Sequence, residues 1–167
     1  MYMRYFMWNF AGRQNDLQGH GDNMHGNWLS GLSFLDEARL GSQEHAPYYT
    51  QENPGRNTYF MLPLILALLG LIFHYRKMPK DAFILTLAFL FTGLAIVLYL
   101  NQAGPQPRER DYAYVGSFYA FAIWIGLGFF QVKEWLEKLM KGAVGSYVAA
   151  ALCFVAVPVL MASQNWD

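Results

Sequence analysis

The stretch AFILTLAFLFTGLAIVLYL, residues 82–100, decides the architecture: nineteen consecutive residues without Asp, Glu, Lys or Arg. A helix rises about 1.5 Å per residue and needs about 20 residues to cross a hydrocarbon layer about 30 Å thick, so this run is long enough to span. Three more runs share its composition, at 59–75, 112–132 and 142–162, holding 17, 21 and 21 residues. A helix in a water-soluble core would carry charge on one face at helical period, and these runs carry none. The expected fold is therefore all-α, a polytopic transmembrane helix bundle of four spans with a polar N-terminal segment.

The charged residues fall between the runs and orient them. The loop 76–81 carries Arg76, Lys77 and Lys80, and the loop 133–141 carries Lys133, Lys138 and Lys141. Basic loops stay cytoplasmic, so both belong on the inner side. The first 58 residues hold four arginines and no lysine, and the loop 101–111 balances two arginines with two acids. Both segments are expected to be extracytoplasmic. The division that follows is residues 1–58 as an extracytoplasmic polar segment with short interfacial helices, 59–163 as the four-span region, and 164–167 as the start of another extracytoplasmic region. Tyr59, Phe60, Tyr75, Tyr99, Tyr112, Tyr114, Trp135 and Tyr147 sit near span ends, where amphipathic rings favour the headgroup layer. Tyr119 and Trp124 lie deeper and are expected to pack between helices, whereas His74 reads as an anchor at the inner face. Pro158 should kink or unwind the fourth span. Gly116 with Ala120, Gly142 with Ser146 and Gly145 with Ala149 offer close helix approach.

Over the whole chain 54% of the 167 residues are hydrophobic, 14% are charged, and the formal net charge is zero. No basic field exists to gather nucleic acid. The single cysteine, Cys153, cannot form an intrachain disulfide and reads as a small buried apolar residue. Glycine-rich nucleotide loops, the GxSxG elbow and haem-attachment CxxCH are absent from the sequence. Because Met1 to Phe10 is interrupted by Arg4 and Asn9, it does not read as a secretory signal, and the chain is expected to be an internal fragment of a larger membrane protein.

Two clusters could carry chemistry. In the first, Gln106-Pro107-Arg108-Glu109-Arg110-Asp111-Tyr112, the guanidinium groups of Arg108 and Arg110 are candidates for a donor phosphate, since forked donors match phosphate oxygens. Glu109 and Asp111 could orient them, Asp111 could act as a base, or the cluster could simply be interfacial ion pairs. The second cluster runs from Arg13, Asn15 and Asp16 through His20 and Asp22 to His25. Carboxylates and imidazoles on flexible backbone suit a sugar, a cation or a nucleophile, or simply form a polar, hydrogen-bonded surface loop, and Trp8 and Trp28 could stack on a sugar ring. Candidate sugar- or acceptor-binding residues are thus Trp8, Arg13, Asn15, His20 and Trp28, and candidate catalytic carboxylates are Asp16, Asp22 and Asp111. The two histidines match no strict metal-ligand spacing, so neither a metal nor any other firm cofactor is expected.

Three segments carry a resemblance. The opening from Met1 to Asp16, the run from Tyr99 to Phe121 around Pro107-Arg108-Glu109-Arg110-Asp111-Tyr112, and the closing Met161-Ala162-Ser163-Gln164-Asn165-Trp166-Asp167 resemble the bacterial membrane proteins grouped as domain-of-unknown-function family 2723. That family is related to protein O-mannosyltransferases and is similar to the GT-C class. The resemblance implies an inner-membrane glycosyltransferase that takes a hexose, with mannose the first candidate, from a polyprenyl-phosphate donor to a protein or glycan acceptor. It also implies that earlier spans bearing an acidic outer loop lie elsewhere, so this part alone would be inactive. Membrane lipid, the lipid-linked sugar phosphate and the acceptor are the implied partners. The alternatives left open are a non-catalytic scaffold or lipid-binding component of an envelope assembly, and a transporter.

Overall fold

The computed structural model describes residues 2–19, 21–101, 111–140 and 143–166, with backbone only at 111. The chain opens with helix α1 (Tyr2–Phe10), followed by a two-residue strand β1 (Gly12–Arg13). Helices α2 (Ser33–Leu40) and α3 (Tyr48–Gln51) precede strand β2 (Asn57–Thr58). The bundle then comprises α4 (Leu62–Lys77), α5 (Pro79–Thr92), α6 (Leu94–Leu100), α7 (Val115–Leu139), α8 (Val144–Phe154) and α9 (Leu160–Asn165). A 3-10 turn, Asp111–Tyr114, leads into α7, and a π-helical turn, Val155–Val159, joins α8 to α9.

The structure is mostly helical, and among the described residues three helices are long and apolar enough to cross a membrane: Pro79–Leu100, Tyr112–Leu139 and Val144–Asn165. They span 22, 28 and 22 residues. The run 59–75 is helical only from Leu62, giving α4 sixteen residues and a length of about 24 Å. Its start is drawn away by pairing with the N-terminal segment. The Tyr59 amide donates to the Ala11 carbonyl at 2.8 Å, beside the β1–β2 ladder in which Gly12 faces Thr58 and Arg13 faces Asn57. Phe60 and Met61 then turn into α4 through left-handed backbone, at φ 53° and 56°. Pro63 sits in the first turn, where its missing amide hydrogen costs little.

Helices α4 and α7 run parallel as the central pair. Phe73 stacks on Phe130 at 5.7 Å, and one turn further Lys77 Nζ meets Glu134 at 2.7 Å. The pair is closest at Gly70 and Gly128: a Cβ on Gly70 would collide with the Trp124 carbonyl and reach within 2.6 Å of the Gly128 amide nitrogen. The small-residue pairs expected for close approach are therefore supplemented by a tighter one on α4. Gly116 and Gly145 do lie against neighbours, Thr92 on α5 and the Leu136–Glu137 backbone on α7. Pro79–Leu100 returns along the outside with only 6% of its apolar window buried. Such a continuous apolar surface would be unfavourable in water and matches hydrocarbon surroundings.

Several placements differ from the sequence reading. His74 is buried in the α4/α7 seam rather than anchoring at an edge, because it falls on the same face as Leu66, Ala67 and Gly70. Trp124 packs inside as expected, but Tyr119 is 73% exposed, lying off the buried stripe Ser117, Ala120, Trp124, Gly128, Gln131 of α7. Tyr59 and Tyr114 are buried as well, at the point where the N-terminal segment meets the bundle. The burial of Cys153 agrees with expectation.

The amphipathic α1 fastens that N-terminal segment down. Its Tyr2, Phe6 and Phe10 pack against Phe118 and Phe121 of α7, with Phe6 also against Phe89 of α5. The Tyr2 hydroxyl donates to Ser117 Oγ at 3.2 Å. Gly93 separates α5 from α6 at this contact, where a Cβ would come within 2.7 Å of the Tyr2 hydroxyl. Within residues 1–58 the structure forms three short helices, the nine-residue α1, the eight-residue α2 and the four-residue α3.

Candidate functional site

A cleft of about 670 Å³ lies between the N-terminal segment and the end of α9. Tyr5, Trp8 and Asn9 line it from α1, Tyr5 also belonging to the aromatic core with Phe6 and Tyr114, while Arg13 and Asp16 line it from β1 and the residues after it. Pro54, Gly55, Asn57 and Tyr59 form a second wall, and Met161, Gln164 and Asn165 of α9 close the third.

Local hydrogen bonding fixes these groups. The Arg13 guanidinium lies 5.0 Å from the centre of the Trp8 ring, donates from Nε to the Gly55 carbonyl at 3.2 Å, and so keeps its charge at the cleft wall. Trp8 is further oriented by Nε1 donating to the Asn27 carbonyl at 3.2 Å. Asn53 Nδ2 donates to Asp16 Oδ1 at 2.7 Å, while Asn53 Oδ1 accepts from the amides of Gly55 at 2.8 Å and Asp16 at 3.3 Å. Asn57 joins two walls, its Oδ1 accepting from the Arg13 amide at 2.9 Å and its Nδ2 donating to Asn165 Oδ1 at 3.1 Å. Asn165 Nδ2 in turn donates to the Tyr59 hydroxyl at 2.8 Å. The resulting surface offers an indole, a carboxylate, a guanidinium and the side-chain amides of Asn9, Asn57, Gln164 and Asn165, a set suited to a ligand with many hydroxyls.

Of the predicted site residues, the structure brings Trp8, Arg13 and Asp16 together. It assigns Asn15, Asp22 and Trp28 elsewhere. Asn15 is fully buried and holds a loop: Nδ2 donates to the Met24 carbonyl at 2.8 Å, and Oδ1 accepts from the Gly26 amide at 2.7 Å. Asp22 caps its own turn, Oδ1 accepting from the Met24 and His25 amides and from His25 Nδ1 at 2.8–2.9 Å. The Met24 amide, with the His25 contacts behind it, holds the Asp22 carboxyl below its ordinary value. Trp28 lies under the Arg39 guanidinium, 3.5 Å from ring centre, with Arg39 Nη2 donating to its carbonyl at 3.2 Å. Neither Asp22 nor Trp28 lines the cleft. His20, Arg108 and Arg110 and the side chain of Asp111 lie outside the described residues.

Sequence reasoning missed Asn57, Tyr59 and Asn165 as cleft residues and Asn53 as the residue that holds Asp16, and it missed Asp36. The last is a buried carboxylate accepting from the amides of Ser30 and Gly31 at 2.8 and 2.9 Å and from Ser30 Oγ at 3.0 Å. Arg39 approaches to 4.0 Å. Burial lowers the pKa of both Arg39 and Arg56, and the Asp36 charge opposes that shift in each. Asp36 thereby ties α2 to the backbone after Trp28. The one signal available was the turn motif Asn53-Pro54-Gly55, which marks a bend but not its neighbours.

Compared with protein-family models, curated proteins and solved structures, the chain matches none.

Proposed function

We propose that this chain is part of an integral-membrane glycosyltransferase, similar to the GT-C class, that moves a hexose from a polyprenyl-phosphate donor to a protein or glycan acceptor. The observation that carries the reading is the composition of the cleft: Trp8 beside Asp16 and Arg13, ringed by four side-chain amides at the rim of an apolar helix bundle. Indole faces stack on the apolar side of a sugar ring, and amides exchange hydrogen bonds with its hydroxyls. The resemblance to domain-of-unknown-function family 2723 supports the same reading, with mannose the first sugar to test.

In this scheme the four uncharged runs all cross the bilayer, α4 with its shorter helix lodged between longer neighbours. The basic ends at Lys77, Lys80, Lys133 and Lys138 face the cytoplasm, and the cleft opens on the outer side of a bacterial inner membrane. Asp16, held by Asn53, takes the proton of an acceptor hydroxyl. The acceptor oxygen then bonds to the anomeric carbon as the carbon–oxygen bond to the phosphate breaks. The polyprenyl phosphate departs with that electron pair, its charge met by Arg108 and Arg110, with Arg13 as the cation lining the cleft.

The test uses the full-length protein in membranes with polyprenyl-phosphate mannose. Asp16→Asn is expected to lower transfer at least a hundredfold at normal expression, and Trp8→Ala to raise the donor KM about tenfold or more. Unchanged transfer in Asp16→Asn removes Asp16 as base. Wild-type protein that transfers no sugar from this donor favours a scaffold and retires the enzymatic reading.

A further inference from the structure

The third wall of the cleft differs from the other two in how it is held. Helix α9 follows the π-helical turn Val155–Val159, which contains Pro158. Proline has no amide hydrogen to return to the preceding turn, and π turns are frequent where a helix must bend at a functional site. Among the described residues of α9 none is buried, although Met161 packs partly against the cluster of Leu66, Cys153 and Val157 beneath it. Its far end is tied to the N-terminal segment through Asn165, by the bonds to Tyr59 and Asn57.

We infer that α9 is a hinged wall of the cleft, bending at the Pro158 turn and latched by Asn165, so that the latch controls entry of the ligand. The inference rests on reading the cleft as a binding site and adds a means of regulating it. A hinge needs a few residues that absorb a change in backbone angles and a contact that can be exchanged. The π turn supplies the first. For the second, Asn57 is bonded on one side to the amide of Arg13 and on the other to Asn165. Tyr59, the other latch partner, also lines the cleft. A hydroxyl-bearing ligand that bonds to Asn57 or Tyr59 competes directly with Asn165, so occupancy of the cleft and release of α9 are coupled through the same atoms. Met161 and Gln164 lie on the moving element, and its displacement reshapes the cleft itself.

The hinge is tested by electron-spin distance measurement on the full-length protein in lipid nanodiscs. Spin labels go on Met3→Cys of α1, an exposed position outside the cleft lining, and Ser163→Cys of α9, with the native thiol removed by Cys153→Ala. Asn165→Ala is expected to move the distance distribution to longer values, and Tyr59→Phe, which keeps the ring and removes one latch partner, to move it part of the way. Adding Pro158→Ala to Asn165→Ala, which returns the missing amide to the helix, is expected to narrow the distribution again. An Asn165→Ala distribution identical to wild type overturns the latch, and a Pro158→Ala variant that leaves the broadened distribution unchanged overturns the hinge. Sugar transfer measured on the unlabelled wild-type protein in the same nanodiscs separates the two ideas. Distances that respond in a protein without transfer support the hinge and count only against the glycosyltransferase reading.

Discussion

Replacing Gly70 with alanine adds one methyl group at the tightest point of the α4/α7 crossing, and its cost follows from what that methyl meets. An added Cβ falls 2.6 Å from the Gly128 amide nitrogen and closer still to the Trp124 carbonyl oxygen, whereas ordinary contact begins at 3.4 Å. Both obstacles are backbone atoms of a 25-residue helix, so no side-chain rotation can relieve them. The helices must separate by at least about 0.8 Å, and a radial gap of that size forfeits roughly a quarter to a half of each dispersion contact along the seam. The expected loss is about 3 kcal/mol, at the upper end for overpacking by one methylene. For a chain of this length that corresponds to about 6–12 °C in thermal midpoint. The assay is thermal unfolding of the detergent-solubilised protein, with Gly126→Ala on the partner helix α7 as the control. A Cβ there meets nothing within 4 Å, and alanine is the better helix former by about 1 kcal/mol, so its midpoint should rise by about 2–4 °C above the parent. A Gly70→Ala midpoint equal to that of Gly126→Ala would refute the backbone-contact argument.

Asp36→Asn should destabilise the N-terminal segment by about 3 kcal/mol, since an amide cannot accept all three donors and Arg39 loses its buried partner; faster hydrogen exchange at Ser30 and Gly31 is the readout. Asn15→Ala should cost about 1–3 kcal/mol by leaving the Gly26 amide and Met24 carbonyl unpaired, and protection at Gly26 that survives the change would count against the assignment. Because the folded-state pKa of Asp22 is lowered, the turn it caps is fully supported above the ordinary carboxylate value and loosens as pH falls through and below it. Amide protection at Met24 and His25 should therefore be flat in the acid direction until pH falls below about 4, and Asp22→Asn should abolish the step.

The helical class and the candidate spans were legible in the order of residues because hydrocarbon imposes a demand that composition alone can meet. Every backbone group must pair within its own segment, and a long uncharged run satisfies that as helix wherever its neighbours are. The same reasoning located Pro158 as a break in the last helix, since a missing amide is a property of one residue. The shortened start of α4 escaped it. Tyr59 belongs to the uncharged run by composition, yet its amide is taken by Ala11, a residue 48 positions earlier, and only the folded chain puts the two together.

The cleft divides along the same line. Trp8, Arg13 and Asp16 stand out in the sequence for their chemistry, and so do Asn15, Asp22 and Trp28, which the fold makes a loop core, a local cap and the ring beneath a stacked guanidinium. Residue type fixes what a side chain can do and is read directly from the sequence. Which way the side chain faces, and whether its hydrogen-bonding groups are already spent on backbone, depends on contacts made across the fold. Asn57 and Asn165 stand 108 residues apart and become one side of a binding surface only when the end of α9 is packed against the β1–β2 ladder.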